Sequence, residues 1–289
     1  MKVFFKKIFS PAQDLVNINL LRKILFIYIV ISFIQLLPFI TELYSSNFSI
    51  IFQRELSVIT LSSIVNLLAF DSLKNAYWWF FGTQIIFSVI GFFGYFIRLS
   101  TFIVWFTTIN LQNRIYSTNT GGDLLLNILL FYLIFISDRK KLSNQNTNEI
   151  INLIDNVFIF LCKFQVLIVY AVSAFYKLNN TEWLNGSALE NILSVKEYST
   201  PFFIENGHKY SNLLKIFTWF SVAYQIVFVL FIFARKYSVF FLLVGVMIHL
   251  FIAFFIGLFN FSFVMICCYL LFISNDDINK MVFFLKKKA

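Results

Sequence analysis

The chain has 289 residues, of which 60% are hydrophobic and 20% aromatic, while only 13% are charged. Its mean hydropathy of +0.81 lies far above that of soluble globular domains and excludes that class. The net charge of +9 does not indicate nucleic-acid binding, because the basic residues form short clusters beside apolar runs, as in proteins anchored at lipid headgroups. The sequence therefore predicts an integral membrane protein surrounded by lipid.

Eight apolar segments are long enough to cross a bilayer as helices when neighbouring helices bury their ends. In chain order they are 24–40, 77–96, 101–111, 124–136, 157–175, 216–233, 239–255 and 259–273. The predicted fold class is therefore all-α, a polytopic helical bundle. We expect one domain over residues 1–289, with a core of about 22–274 and interfacial tails at 1–21 and 275–289, because no linker or repeat interrupts the chain.

The distribution of basic residues predicts the orientation of these helices, because lysine and arginine favour the cytoplasmic side. With both termini in the cytoplasm, inner segments carry fifteen basic residues and outer segments seven, while Lys163 lies within a span. The rich use of Phe, Ile, Asn and Lys is typical of an AT-rich genome and favours a bacterium. We therefore expect a multi-pass protein of the inner (cytoplasmic) membrane, with loop 41–76 and segment 112–123 outside.

Cysteine and histidine positions give no sign of a disulfide framework or a metal centre. Cys162, Cys267 and Cys268 fall inside apolar stretches, which is typical of packing residues. The two histidines, His208 and His249, are far apart in the sequence, so we predict no metal site.

The most polar stretch of this apolar chain is AFYKLNNTEWLNGSALENIL, residues 174–193. Lys177 ends an apolar helix there, Trp183 follows, and a turn is expected at Gly186, with Ser187 placed to cap a short helix. Removal from water disfavours the ammonium form, so a lysine at the floor of an outward cavity can serve as a base. The alternative is an interfacial lysine that reaches headgroups beside a tryptophan.

Two further polar residues lie inside predicted spans. His249, in VGVMIHLFIAFF, falls in the outer half of its helix. It is either a neutral histidine bonded to a neighbouring helix, or a proton-transfer residue or ligand. Gln225 is expected to form a hydrogen bond between helices.

A second outer cluster occurs in LQNRIYSTNTGGDLLLNILLF. Gly121 and Gly122 permit an unusual backbone before Asp123, which can cap the following helix, and the exposed amides there offer an anion site. Asn113 and Arg114 end the preceding helix. A plain cap with a headgroup-binding arginine is the alternative interpretation.

The predicted topology brings these polar residues to the same side of the membrane, so we expect them to line one outward cavity. The candidate catalytic residues are Lys177 and His249. The candidate substrate-binding residues are Asn113, Arg114, Gly121, Gly122, Asp123 and Trp183.

Three stretches together resemble a known family. IRLSTFIVWFTTINLQNRIYSTNTGGDLLLNILLFYLIFIS resembles the arginine, Asn-Arg and Gly-Gly-Asp succession of the horizontally transferred transmembrane (HTTM) domain, the bacterial relatives of the vitamin K-dependent gamma-carboxylase membrane region. YAVSAFYKLNNTEWLNGSALENIL is similar to its Lys-Leu, Trp and Gly-Ser/Thr-Ala segment, and HLFIAFFIGLFNFSFVMICCYLLF to its late helix with one histidine. The three follow in the expected order and cover most of 22–274.

The resemblance implies that Lys177 is the base that deprotonates a reduced, lipid-soluble quinone. The chain departs from the carboxylases in having no histidine near the Gly-Gly-Asp helix start and no large propeptide-binding domain. Both departures argue against glutamate carboxylation itself. KLNNTEWLNGSA and IGLFNFSFVM also resemble the SdpB-like subgroup, which helps to mature secreted antimicrobial peptides.

Two functional hypotheses follow. The first is modification or maturation of a secreted peptide or protein, or quinone-linked chemistry, at the outward cavity. The alternative is a non-catalytic membrane subunit for transport, toxin immunity or assembly of an envelope complex. Membrane lipids, and a secreted peptide or envelope protein, are the expected partners.

Overall fold

The structure is a computed structural model that describes residues 10, 14–44, 75–115, 118–137, 149–232 and 238–273. Within these ranges every regular element is helical, which confirms the all-α prediction for the part of the chain described. The predicted tail at 275–289 and most of the predicted loop at 41–76 lie outside the described residues.

The chain forms two compact units, Met1–Leu161 and Cys162–Ala289. The helices of the first unit are α1 (Leu15–Leu36), α2 (Ile40–Tyr44), α3 (Tyr77–Phe92), α4 (Ile97–Arg114) and α5 (Gly121–Phe135). Helix α6 (Glu149–Leu178) begins in the first unit and ends in the second. The second unit continues with α7 (Thr181–Asn185), α8 (Ala188–Ser194), α9 (Pro201–Asn206), α10 (Ser211–Phe231), α11 (Ser238–Ile256) and α12 (Phe259–Cys268). The single domain predicted for 1–289 stays a prediction.

Each of the eight predicted segments overlaps a helix, and four helical stretches are apolar and long enough to cross a membrane. These are Leu15–Tyr44, Glu149–Leu178, Pro201–Phe231 and Val239–Ile256. Shorter apolar helices occur at Tyr77–Phe92, Gly121–Phe135 and Phe259–Phe272. Many large apolar side chains on these helices are exposed, including Leu230 and Met247, which gives the protein a surface for lipid contact. The number of crossings and the side of the termini stay predictions.

In the first unit, two buried ionisable side chains secure the C-terminal end of α5. Arg22, which is completely buried on α1, donates from Nη2 to the carbonyl oxygens of Leu133 and Ile136, at 2.9 Å each. Asp155 on α6 accepts from the backbone amide of Ser137 at 2.7 Å and from its hydroxyl at 2.5 Å. Because the last carbonyls of a helix have no partner within the helix, an arginine placed there replaces the missing donors. Arg22 is therefore a buried helix cap.

In the second unit, the polar stretch at 174–193 becomes two short helices joined by a tight turn. Asn180 caps α7 by accepting a hydrogen bond from the Glu182 amide at 2.9 Å. Gly186 has φ of +87°, a left-handed conformation that favours glycine, as expected for the predicted turn. Ser187 holds the N-cap position of α8, but its hydroxyl donates to Asn185 at 2.8 Å instead of accepting from the helix.

Candidate functional site

Lys177 and His249 line the same cavity, about 130 Å³ in volume, in the second unit. Tyr170, Ser173 and Lys177 are spaced three and four residues apart on α6, so one face of that helix forms a wall. Helix α10 adds Gln225, and α11 adds His249. The fold thus brings the two candidate catalytic residues to one cavity.

The amine of Lys177 lies over the indole ring of Trp183, with Nζ 4.1 Å from the ring centroid. This is the geometry of a cation–π contact, across the turn between α6 and α7. Among the described residues no carboxylate forms an ion pair with Lys177. Lys177 is partly buried, so its amine has an aromatic neighbour and open space and lacks a fixed counter-ion within the described part of the chain.

Lys177 also borders a groove of about 220 Å³ with apolar, aromatic walls. Trp183, Leu184 and Trp219 line this groove. The indole nitrogen of Trp219 donates to the carbonyl oxygen of Leu184 at 3.0 Å, which attaches the Trp219 ring to α7. The groove therefore offers flat apolar surfaces and a single amine.

His249 is 3% exposed and hydrogen-bonded to a neighbouring helix. Its Nε2 lies 3.0 Å from the hydroxyl of Tyr170 on α6. The bond to a neighbouring helix is compatible with both predicted alternatives, so the role of His249 stays a prediction. Its Nδ1 is buried and has no hydrogen-bond partner among the described residues. The same holds for Oε1 of Gln225, so the interhelical bond expected for Gln225 is not found within the described structure.

Three tyrosines beside His249 belong to the site but were not predicted from the sequence. The hydroxyls of Tyr170 and Tyr269 are 2.5 Å apart, and those of Tyr224 and Tyr269 are 3.4 Å apart. Tyr224 also donates to the carbonyl oxygen of Phe241 at 2.9 Å. One local signal could have pointed to Tyr170, because it lies seven residues before Lys177 and so on the same helix face.

In the first unit, Asp123 forms a capping box at the start of α5. Its Oδ2 accepts from the backbone amide of Thr120 at 2.7 Å and from the Thr120 hydroxyl at 2.8 Å, which confirms the predicted cap. Gly121 and Gly122 are the first two residues of the helix, and neither has a positive φ. The two glycines therefore do not adopt the unusual backbone that they permit, because the capping box starts a regular helix directly.

Arg114 is buried at the end of α4, with 8% of its surface exposed. Its Nη2 lies 3.4 Å from the carbonyl oxygen of Tyr44, the last residue of α2. Asn113 beside it is partly buried. The structure thus gives Arg114 a backbone partner within its own unit. The substrate-binding roles of both residues stay predictions.

Residues 21–276 match the HTTM domain family. The chain belongs to that family. This membership confirms the resemblance inferred from the sequence motifs and identifies an integral membrane protein of the carboxylase-membrane-domain type. Comparison of this HTTM chain with curated proteins and with solved structures gives no match. Membership of the SdpB-like subgroup stays a prediction.

The candidate residues of this HTTM protein fall into two sets. Lys177, Trp183 and His249 belong to the second unit, where the first two are in contact and Lys177 and His249 share a cavity. Asn113, Arg114, Gly121, Gly122 and Asp123 belong to the first unit. One outward cavity for both sets stays a prediction. All three cysteines are buried, and within the described ranges no group of three or more His, Cys, Asp or Glu side chains is arranged to hold a metal ion.

Proposed function

We propose that this HTTM protein modifies or matures a secreted peptide or protein at an outward-facing cavity, with chemistry linked to a lipid-soluble quinone. It would be a multi-pass protein of a bacterial inner membrane, with eight crossings and both termini in the cytoplasm. The excess of basic residues on the inner segments supports this topology. The observation that carries the proposal is that Lys177 and His249 line one cavity.

Lys177 is the proposed base. An amine that borders an apolar cavity loses the water that stabilises its ammonium form, and this is how lysines are recruited as general bases. Lys177 borders both the cavity of His249 and the aromatic groove, so it is the residue that links them. The Trp183 ring beneath its amine limits the positions that the side chain can take.

A quinone head group fits the chemistry of the aromatic groove. Flat apolar walls from Trp183 and Trp219 suit an aromatic ring, and both spaces are smaller than the pockets that enclose drug-sized ligands. They therefore suit a single ring whose isoprenoid tail stays in the lipid. When bound, a reduced quinone would supply an acidic hydroxyl proton.

Each residue that lines the two spaces would have a separate role. Trp183, Trp219 and Leu184 would hold the ring, Lys177 would accept a proton at Nζ, and His249 would bind a polar group on the opposite wall. Glutamate carboxylation is not part of the proposal, because the start of α5 carries Gly121, Gly122 and Asp123 and no histidine.

Mass spectrometry of secreted peptides from cells that carry the variants tests the proposal. Secreted peptides are co-expressed with the native chain, with Lys177→Met and with Lys177→Arg. We expect the mass change of the peptide to disappear in both variants, because methionine removes the base and arginine stays protonated. If arginine restores the mass change, the amine acts as a fixed positive charge, and the role as base is wrong.

Lys163→Met is the matched control, because Lys163 lies on the same helix but lines neither the cavity nor the groove. Size-exclusion chromatography in detergent verifies that each variant inserts and folds. A peptide whose mass is the same with the native chain and with folded Lys177→Met would contradict the proposal. That result would favour the alternative, a non-catalytic subunit for transport, toxin immunity or envelope assembly.

A further inference from the structure

A chain of hydrogen bonds connects His249 to a backbone carbonyl through three tyrosines. Its four contacts are His249 Nε2 to Tyr170 at 3.0 Å, Tyr170 to Tyr269 at 2.5 Å, Tyr269 to Tyr224 at 3.4 Å, and Tyr224 to the oxygen of Phe241 at 2.9 Å. His249 and the three tyrosine side chains are buried. The contacts join helices α6, α10 and α11 with the turn that follows α12.

The carbonyl at the end fixes the direction of the whole chain. A carbonyl oxygen only accepts, so the single hydroxyl proton of Tyr224 is donated to Phe241. Tyr224 can then only accept from Tyr269, and Tyr269 in turn can only accept from Tyr170. The proton between Tyr170 and the imidazole must therefore come from Nε2 of His249.

The opposite direction satisfies fewer contacts. If Tyr269 donated to Tyr170 and Tyr170 to Nε2, the 3.4 Å contact between Tyr269 and Tyr224 would hold two oxygens with no proton between them. The direction that places a proton in all four contacts is therefore favoured, because two hydroxyl oxygens that face each other without a proton repel.

This direction determines what His249 presents to the cavity. A neutral imidazole that is protonated at Nε2 carries a lone pair at Nδ1. Nδ1 of His249 is buried and has no partner among the described residues, and the same is true of Oε1 of Gln225 on the same cavity. Both residues line the cavity, so a ligand there that donates hydrogen bonds would satisfy these two atoms.

We propose that Tyr224, Tyr269 and Tyr170 are positioning residues that hold His249 as its Nε2–H tautomer, so that Nδ1 accepts a hydrogen bond from a hydroxyl group of the ligand. The proposal deepens the proposed function, on which it rests, because it gives the cavity of Lys177 a preference for hydroxyl-bearing molecules. A ligand with only acceptor groups, such as a fully oxidised quinone, would leave Nδ1 without a partner.

Gly245 leaves space for the Tyr224 and Tyr269 hydroxyl groups, which meet in the middle of the chain of hydrogen bonds. It lies one helical turn before His249 on α11, and a Cβ added there would overlap the hydroxyl oxygens of Tyr224 and Tyr269. Gly245→Ala therefore displaces two links without removing any atom of the chain of hydrogen bonds. This gives a second way to break it.

Nitrogen NMR of the imidazole tests the proposal directly. The chain has two histidines, so His208→Gln leaves His249 as the one ¹⁵N-labelled histidine in the full-length protein. The ¹⁵N shifts of the two ring nitrogens, assigned through their couplings to the ring protons, report which nitrogen carries hydrogen. We expect the Nε2–H tautomer in this background. A predominant Nδ1–H tautomer or a doubly protonated ring overturns the proposal.

Variants that interrupt the chain of hydrogen bonds test the positioning role. Tyr269→Phe frees the Tyr170 proton to bind Nε2, so the ratio of Nδ1–H to Nε2–H should rise about tenfold, the factor that corresponds to about 1.4 kcal/mol. Gly245→Ala should shift the ratio in the same direction, which keeps the test decisive if Tyr269→Phe does not fold. Tyr176→Phe, at an exposed tyrosine on α6, should leave the ratio unchanged. An unchanged ratio in both Tyr269→Phe and Gly245→Ala would refute the positioning role. Because the tautomer is measured without substrate, this result is separate from the Lys177 peptide assay.

Discussion

Arg22 in the first unit and Lys177 in the second are both basic residues on largely apolar helices, yet their surroundings differ. Arg22 is completely buried and donates to two backbone carbonyls at the end of α5. Lys177 is partly buried, borders two open spaces and contacts an aromatic ring. One residue completes a helix, whereas the other faces space that a ligand can enter.

A similar contrast separates Asp123 and Asp155 of the first unit from His249 and Gln225 of the second. Asp155 accepts two hydrogen bonds from Ser137, and Asp123 accepts two from Thr120 and one, at 3.4 Å, from Gln112. His249 and Gln225, in contrast, each have a buried polar atom with no partner in the described structure. A polar residue in a membrane protein is a functional candidate by default, and the use of its hydrogen-bonding groups by the fold separates the two cases.

Removal of Arg22 should have the largest effect on stability. Arg22→Met leaves the buried carbonyl of Ile136 without a donor and that of Leu133 with only the 3.3 Å bond from the backbone amide of Ile136, so we expect the free energy of unfolding to fall by about 3 kcal/mol. Thermal unfolding in detergent, followed by circular dichroism, measures the loss.

Arg98→Met is the matched control for Arg22. Arg98 also donates to a carbonyl near the end of α5, that of Phe135 at 3.2 Å, but it is exposed. Water can replace an exposed donor, so the unfolding temperature should change little. Equal losses in the two variants would contradict the distinction between a buried cap and a surface contact.

Asp155→Asn should have an intermediate effect. The amide keeps one acceptor oxygen but turns an NH₂ group towards a donor of Ser137, so about 2 kcal/mol of stability should be lost. The unfolding temperatures of Asp155→Asn, of Ser137→Ala and of the double variant together test whether the Ser137 hydroxyl is the partner of Asp155. If the two losses simply add in the double variant, the carboxylate does not act through the Ser137 hydroxyl.

Local sequence pattern was enough to predict the helices and to place Lys177 near Trp183. Apolar runs mark where helices pass through lipid, although α6 extends from Glu149 to Leu178, beyond the predicted 157–175, because helical hydrogen bonding continues past the apolar core. Lys177 and Trp183 are neighbours across one turn, so a short stretch of sequence contains the whole contact.

Contacts between distant helices could not be predicted in this way. Tyr170 and Tyr269 are ninety-nine residues apart, and Arg22 lies more than a hundred residues from both carbonyls that it binds. Hydrophobic periodicity identifies which face of a helix is apolar, but in a membrane protein lipid and protein neighbours are both apolar. Neither the rotation of each helix nor its partners follow from the pattern alone.

Asp123→Ala should have the smallest effect, and it tests whether the contrast between the units holds for Asp123. Loss of the capping box should lower the free energy of unfolding by about 1 kcal/mol. Thr120→Ala removes the cap hydroxyl and keeps the carboxylate, so it serves as the comparison in thermal unfolding and in the peptide assay. Because the cap already uses Oδ2 of Asp123, we expect the peptide to be modified by both folded variants. Loss of modification in folded Asp123→Ala, with Thr120→Ala active, would instead give Asp123 the substrate-binding role predicted from the sequence, and a carboxylate of the first unit would then take part in the chemistry.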